Sequence, residues 1–167
     1  VGRDPGRLDA ATQEVRSAGA RPDAVSAALA DLSSVAGARA AADAVLRHRA
    51  GVDVVVHCAG IWPSRRVLTR DGFEESFAIN HLAPFVINEA LAASLAERAP
   101  ARVVQVSAGL YIKGKVDLAR DPTGETFHPL RTYPTTKLWN LLATLELARR
   151  APRGLTVTAV HPGVVRT

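Results

Sequence analysis

Short apolar runs alternate with longer helical patterns along this sequence, and that alternation constrains the fold more than any other feature. The runs are rich in β-branched residues, as in 52–56 and 102–106, which predicts strands. They are continuous in apolar character, which indicates strands covered on both faces. Strands that alternate with helices build a parallel sheet, so the sequence predicts an α/β fold. The predicted strands are 23–30, 52–58, 101–106 and 155–160.

Apolar residues that recur every three or four positions predict the helices, at 5–18, 33–49, 71–98 and 132–150. Ser33 or Ser34 is expected to cap the second of these, Asp71 the third and Thr132 the fourth, with Pro134 tolerated in its first turn. A long irregular segment at 107–132 follows a strand end, where doubly wound sheets bind their ligands. We therefore expect this segment to form a wall of the functional site.

The composition predicts one soluble domain spanning residues 1–167. Hydrophobic residues make up 47% of the 167 and charged residues 22%, which excludes a disordered or fibrous chain. No run approaches the roughly 18 apolar residues that span a bilayer, and no signal-peptide pattern opens the chain. The single cysteine, Cys58, cannot form an internal disulfide, which favours a cytoplasmic location. Because the sequence lacks Met and opens at Val1, we expect a fragment.

The formal charge of +5 does not predict a nucleic-acid partner. The arginines are scattered singly or in short pairs, such as Arg65-Arg66 and Arg149-Arg150, without interleaved aromatic residues. His57 and Cys58 have no second His or Cys at ligand spacing, so no metal site is predicted; core packing is the alternative to a functional role for each of the two.

Tyr133 and Lys137 form the most informative pair for chemistry. A separation of four residues on a helix places both side chains on one face, one turn apart. A nearby ammonium favours the phenolate, so we expect Lys137 to lower the pKa of Tyr133 toward the range of a general acid/base, helped by the dipole of a helix beginning near Thr132. The context of the pair is Ser107 at a strand end, Asn80 inside the third predicted helix, and the turn 57–60.

These motifs, in this order, resemble the short-chain dehydrogenase/reductase family, and most closely its retinol-dehydrogenase-like branch, over essentially the whole chain. Asp31-Leu32 resembles the pair that contacts adenine, and residues 57–60 resemble the Asn-Asn-Ala-Gly turn beside the cofactor. Residues 80–82 resemble the helix position of the catalytic asparagine, 133–140 the tyrosine-lysine segment, and 160–167 the Pro-Gly segment around the nicotinamide. The resemblance implies a Rossmann-like doubly wound parallel sheet in three α/β/α layers, here as a partial NAD(P)-binding domain that is incomplete at both ends.

The resemblance also implies roles for individual residues. Tyr133 would exchange the proton, Lys137 would hold the nicotinamide ribose and tune the tyrosine, Ser107 would orient the substrate oxygen, and Asn80 would hold a water linking the lysine to solvent. The hydride would come from the cofactor, and the substrate would be a small-molecule carbonyl or alcohol. The implied cofactor-binding residues are Arg3, Asp31, Leu32, Cys58, Ala59, Gly60, Tyr133, Lys137, Pro162, Gly163, Val165 and Thr167.

Two departures from the family pattern bear on these roles. The family ends the strand before the loop with Ser-Ser and uses the second, whereas this chain has Ser107-Ala108. Because strand side chains alternate between faces, Ser107 is the substrate-orienting hydroxyl in one register and is lost to the site in the other, with Tyr111 as the nearest alternative. In the turn, His57-Cys58 replaces the two asparagines, while Ala59-Gly60 keeps the close backbone approach.

Arg3 favours NADP over NAD, because a guanidinium can bind the 2′-phosphate bidentately, although Asp4 beside it could bind a free ribose hydroxyl. The family's Gly-rich phosphate loop does not occur in the sequence. Three hypotheses stay open for the full-length protein: an oxidoreductase, a non-catalytic cofactor-binding protein, and an epimerase or dehydratase. It is also a candidate for homo-oligomerisation. Trp62 and Trp139 are expected to pack, although Trp62 follows the turn at a position from which it could wall the substrate pocket.

Overall fold

The computed structural model describes residues 1–47 and 51–163. Its sheet consists of three strands in these ranges, β1 (Val54–His57), β2 (Ala101–Val106) and β3 (Leu155–Val160), in the order β1-β2-β3. All pairs are parallel, with Val56 opposite Val104 and Val104 opposite Thr158. The predicted open parallel sheet is therefore confirmed, and two of the predicted strands have the observed bounds.

Three helices, α2 (Val35–Leu46), α3 (Glu75–Glu97) and α4 (Pro129–Arg150), pack together with the sheet on one of its faces. Leu91 and Leu95 of α3 are fully buried in this layer, as is Val103 of β2. On the opposite face, the side chains of Val54 and Val56 are 51% and 58% exposed. The described residues thus supply two of the three predicted layers.

The segment predicted as a strand at 23–30 does not form one, and that prediction is wrong. It contains a 3-10 turn at Pro22–Ala24, followed by an isolated parallel bridge between Gly2 and Leu29. A groove of 420 Å³, lined partly by Val1, Leu32 and Val54, lies beside β1. A strand is maintained by a ladder of hydrogen bonds, and the segment pairs here only at Gly2, through Ala28 and Ala30.

The helices begin at side chains that accept hydrogen bonds from their first turns. Helix α1 (Pro5–Ser17) is capped by Asp4 and α2 by Ser34, as one of the two predicted alternatives. Helix α3 is capped by Glu74 and not by Asp71; the Asp71 carboxylate instead accepts from the Val35 N–H of α2, at 2.8 Å. Because α3 begins at Glu75, four residues after Asp71, the carboxylate with access to its first turn is that of Glu74.

Helix α4 begins three residues earlier than predicted, at Pro129. His128 is its cap and accepts from the Leu130 N–H, while the Thr132 hydroxyl lies within the first turn and accepts from the His128 N–H. Proline at the first helical position has no N–H to leave unpaired, which favours this start. The early start moves Tyr133 out of the first turn, with consequences for its electrostatics.

Helix α3 is not uniform. A regular first turn at Glu75–Phe77 leads into a π-helical turn at Ala78–Leu82, and regular helix resumes at Ala83–Glu97. A π-turn inserts an extra residue per turn and commonly marks a functional position. Asn80 lies at the middle of this one. None of the helices in the described ranges combines the length and apolar character that crossing a membrane requires.

Candidate active site

Tyr133 and Lys137 lie one turn apart on α4, at the carboxyl ends of β1 and β2. The Lys137 ammonium is 5.4 Å from the centroid of the Tyr133 ring and donates to the Val106 carbonyl at the end of β2, at 3.3 Å. Lys137 is buried and Tyr133 half-buried. The predicted juxtaposition of the two side chains is thus present in the structure.

The predicted lowering of the Tyr133 pKa is wrong. Burial raises the pKa of the phenol above its ordinary value, and burial also lowers the pKa of Lys137, an effect opposed by the neighbouring Cys58 side chain. A buried lysine whose pKa is lowered holds its positive charge less firmly than a solvated lysine does. It therefore stabilises a neighbouring phenolate less. The helix dipole acts mainly in the first turn, which Tyr133 has left because α4 begins at Pro129.

Asn80 ties three parts of the site together through its fully buried amide. Its Oδ1 accepts from the Ile61 N–H at 2.7 Å, and its Nδ2 donates to the Ile61 carbonyl at 2.9 Å and to Thr136 Oγ1 at 3.1 Å. Thr136 Oγ1 in turn donates to the Tyr133 carbonyl at 2.8 Å. One side chain therefore connects the π-turn of α3, the loop after β1 and the turn of α4 that carries Tyr133.

Gly60 brings exposed backbone close to these side chains. A Cβ placed on Gly60 would lie 3.4 Å from both Asn80 Oδ1 and Lys137 Nζ. The space that a side chain would occupy is therefore left open beside the lysine, as expected where a ligand approaches the backbone. Cys58 and Ala59, which precede Gly60 in the turn, are also exposed.

His57 is buried at the end of β1, in line with the core-packing alternative, and its Nε2 is 2.7 Å from Asn88 Oδ1. Burial lowers the pKa of this imidazole. Cys58 is instead an exposed free thiol at the site, which excludes the core-packing alternative and leaves its role in cofactor binding a prediction. Consecutive residues at a strand end point to opposite sides, which explains the different fates of the two.

The Ser107 hydroxyl is engaged with the helix backbone. It is buried and donates to the Lys137 carbonyl at 3.3 Å, while the Ser107 N–H donates to the Val160 carbonyl. The next residues approach the end of β3: a Cβ on Gly109 would lie 2.9 Å from His161 Nε2. Whether Ser107 orients a substrate stays a prediction. Tyr111, the alternative, lies on the 3-10 segment Gly109–Lys113 with its side chain partly exposed.

Trp62 is a neighbour of Tyr133 that the sequence did not identify. Its indole stacks on the phenol with ring centroids 4.5 Å apart and planes inclined by 8°. Its Nε1–H donates to the Pro129 carbonyl at the start of α4, at 2.9 Å. The one signal in the sequence is the position of Trp62 directly after the turn. The contact with Tyr133 could not be predicted, because the two residues are far apart in the chain.

The residues predicted to bind the adenosine end of a cofactor lie at the surface, apart from this cluster of buried hydrogen bonds. Arg3 forms an exposed ion pair with Glu75, at 3.8 Å. The Asp31 carboxylate accepts from the Ser33 N–H at 3.0 Å, and this bond, with Arg3 and Arg70 nearby, lowers the Asp31 pKa. Leu32 is half-buried and lines the groove beside β1.

The predicted Pro-Gly segment follows β3. Pro162 and Gly163 are exposed, and Gly163 has a positive φ of 85°, a conformation that favours glycine. Val165 and Thr167, also predicted to bind the cofactor, lie outside the described residues.

Comparisons with known proteins point to one family. The model of the short chain dehydrogenase family matches residues 1–120. Retinol dehydrogenase 14 of Mus musculus is 34% identical over 99% of this chain and 52% of its own length. The chain spans about half the length of the curated relatives it matches.

Two solved structures carry the similarity into three dimensions. A short chain dehydrogenase from Burkholderia cenocepacia in complex with NADP is 27% identical, with a TM-score of 0.76, over 100% of this chain and 63% of that one. A blue fluorescent protein from a metagenomic library, in complex with NADPH, is 29% identical, with a TM-score of 0.74, over 98% of this chain and 61% of that one.

Proposed function

The chain belongs to the short-chain dehydrogenase family, and we propose that it carries the catalytic centre of an NAD(P)-dependent oxidoreductase that transfers a hydride between a nicotinamide and a carbonyl or alcohol. The observation that carries this proposal is the packing of Tyr133, Lys137 and Asn80 around the exposed backbone of Gly60. A proton donor beside an opening for a cofactor suits hydride transfer to a carbonyl, because the substrate oxygen takes up a proton as its carbon takes up the hydride.

The residues present fit a nicotinamide cofactor. The open space at Gly60 offers a cradle that a Cβ would fill, and Lys137 presents an ammonium to it, a suitable donor for ribose hydroxyls. We assign Lys137, Gly60, Ala59 and Cys58 to this end of the cofactor, together with Pro162 and Gly163. The cofactor, when bound, supplies or accepts the hydride.

Tyr133 is proposed as the proton donor in carbonyl reduction. Burial raises the pKa of its phenol, so the hydroxyl keeps its proton at neutral pH and can deliver it as the carbonyl oxygen gains charge. Lys137, one turn away, stabilises the phenolate that remains. Asn80 holds the Tyr133 turn and the Gly60 loop in register through Thr136 and Ile61, which keeps donor and cofactor site aligned.

The substrate oxygen needs a second hydroxyl or N–H besides Tyr133. Ser107 is proposed for this role, which would require its hydroxyl to exchange the Lys137 carbonyl for the substrate. Tyr111 is the alternative. The engagement of Ser107 also supports the second candidate function, a non-catalytic cofactor-binding protein on the same fold.

We propose NADP as the preferred cofactor. Two similar structures hold NADP or NADPH, and the exposed guanidinium of Arg3 is a suitable group for binding a 2′-phosphate. Asp4, the competing ribose ligand, is occupied by capping α1: its carboxylate accepts from the Arg7 N–H at 2.9 Å. A single domain over 1–167, a cytoplasmic location and homo-oligomerisation stay predictions.

Replacing Tyr133 with Phe tests the proposal. The variant removes the proton donor but leaves the ring and the lysine, so turnover of an apolar aldehyde or ketone should fall by a factor on the order of 10² or more, with NADPH affinity nearly unchanged. Lys137→Met should lower both turnover and NADPH affinity, and Lys113→Met, at an exposed lysine of the neighbouring 3-10 segment, is its matched control.

The two candidate functions predict different results. NADPH binding by the unaltered protein, measured through the change in nicotinamide fluorescence, without turnover of any carbonyl or alcohol in a broad panel, would favour the non-catalytic protein. Near-normal turnover by Tyr133→Phe would refute the assignment of the proton donor. Separate Ser107→Ala and Tyr111→Phe variants would show which hydroxyl the substrate needs.

A further inference from the structure

Trp62 covers one face of the Tyr133 ring. The two rings are nearly parallel, inclined by 8°, with centroids 4.5 Å apart, a separation at which aromatic pairs attract beyond the area they bury. Trp62 is nevertheless 48% exposed, so this stacking occurs at the surface of the site and not in the core. Core packing does not explain a large aromatic side chain that is half exposed to solvent and stacked on the phenol of the site.

The indole is also fixed in orientation. Its Nε1–H donates to the carbonyl of Pro129, the residue four positions before Tyr133 on α4. Trp62 is therefore attached to α4 at two points: its ring face lies on Tyr133, and its N–H binds the first turn of the helix at Pro129. The backbone of the same loop is held independently, because both polar groups of Ile61 bond to Asn80.

The surroundings of the phenol show what the indole contributes. Lys137 is the titratable group that the structure places over the same ring, at 5.4 Å, and burial of the phenol raises the pKa of Tyr133. The indole supplies apolar cover on the side of the loop after β1. Without it, water would reach that face of the ring, and the phenol would lose the neighbour that sets its plane.

We propose that Trp62 is a positioning residue for Tyr133, holding the plane of the phenol and keeping water from one of its faces so that the hydroxyl is presented for proton transfer. The catalytic part of this inference rests on the proposed function. The positioning part rests only on the stacking and on the hydrogen bond to Pro129, and it can be measured without cofactor or turnover.

The chain offers a clean titration because it contains two tyrosines and two tryptophans. In a Tyr111→Phe background, the ultraviolet absorbance change with pH reports the ionisation of Tyr133 alone. Trp62→Ala and Trp62→Leu should lower the midpoint of this ionisation by about half a pH unit or more, because water gains access to the phenolate. Trp62→Phe keeps a stacked ring and should restore most of the shift.

Trp139→Phe is the matched control. Trp139 packs against His81 and Phe77 and donates to Asp121, so its replacement should leave the Tyr133 midpoint unchanged. Circular dichroism would confirm that each variant is folded. Trp62→Leu fills part of the indole volume and serves where Trp62→Ala does not fold.

Kinetics in the Tyr111-containing protein complete the test. Trp62→Ala should lower kcat by about tenfold with little change in cofactor KM, and Trp62→Phe should recover most of it. An unchanged Tyr133 midpoint in both the Ala and Leu variants would overturn the proposal, as would a rise in substrate KM alone, which would make Trp62 a pocket wall. If the unaltered protein has no turnover, the proposed function fails while the titration still decides the role of Trp62.

Discussion

Two regions of the molecule differ in how firmly hydrogen bonds hold their residues in place. The tyrosine site, comprising Gly60, Asn80, Tyr133 and Lys137, is held by hydrogen bonds between buried groups of three separate elements. The open edge, comprising β1 and the bridged segment at Leu29, has exposed valines, a groove and an isolated bridge. Both regions carry residues that the family resemblance assigns to the cofactor, yet only the first is rigidly preorganised.

Because of this difference, the two regions are suited to different functions. Buried hydrogen bonds are costly to leave unmade, so the tyrosine site keeps its geometry as long as the fold persists. Exposed ion pairs such as Arg3 with Glu75 contribute little to stability and leave a guanidinium available for a ligand. Catalytic alignment and cofactor discrimination thus depend on different kinds of interaction, and substitutions can separate them.

The largest expected effect is that of Asn80→Ala. It would leave the Ile61 N–H and carbonyl and the Thr136 hydroxyl without their buried partner, and should destabilise the protein by about 3 kcal/mol. Asn88→Ala, which removes the partner of His57, is the matched control and should cost about 1 kcal/mol. Urea denaturation gives both values; equal losses would show that the tyrosine site is not specially braced.

A pair of identical substitutions compares the two faces of the sheet directly. Val103 is 2% exposed and Val56 is 58% exposed on the neighbouring strand. Val103→Ala should therefore cost about 2 kcal/mol through lost burial and a residual cavity, and Val56→Ala less than about 0.5 kcal/mol. A comparable loss for Val56→Ala, measured in the same denaturation experiment, would mean that the open edge is covered in solution.

The loss of stability at acid pH tests one group near the tyrosine site, the imidazole of His81. His81 packs between Phe77 and Trp139, and burial lowers its pKa to about 4. A histidine with a depressed pKa in the folded state is neutral there while the unfolded chain takes up a proton, so stability is full above pH 6.5 and falls as pH drops from 6.5 toward 4.

We expect the unaltered protein to lose about 1 to 2 kcal/mol between pH 7 and pH 5 through this group, allowing for partial solvent access. His81→Phe, which keeps an aromatic ring between Phe77 and Trp139, should flatten that part of the stability curve. His57, whose pKa burial also lowers, would remain and account for a smaller slope. An unchanged curve in His81→Phe would remove His81 as a source of acid sensitivity.

The parts of the fold that depend on local sequence were predictable. Residues 101–106 and 155–160 form strands with the predicted bounds, since their β-branched runs are bordered by Gly or Pro and pair with partners present in the chain. The proximity of Tyr133 and Lys137 followed from helical periodicity alone. The tie from Asn80 to Ile61 did not, because a π-turn has no sequence signature and the contact joins residues far apart in the chain.

The wrong predictions share a physical origin in competition between neighbours. Asp71 and Thr132 are good capping residues, but Glu74 and His128 had better access to the first turns of α3 and α4. The segment at 23–30 has strand propensity but pairs only at Gly2. The Tyr133 pKa moved opposite to expectation, because the sequence shows the lysine one turn away and does not show the burial of the phenol.

Arg3→Ala should have the smallest effect on stability and the most selective effect on binding. Its ion pair with Glu75 is exposed, so the free energy of unfolding should change by less than about 0.5 kcal/mol. If Arg3 binds the 2′-phosphate, NADP affinity should fall about tenfold and NAD affinity by less than about twofold, since only NADP carries the group that a guanidinium binds bidentately. Arg153→Ala, at an exposed arginine before β3, controls for the loss of one positive charge. Equal losses for both cofactors, measured by nicotinamide fluorescence for the reduced forms, would place Arg3 near the site without a role in the choice between them. A large loss of stability would instead show that the open edge depends on this ion pair. The open edge would then be held by specific interactions, as the tyrosine site is.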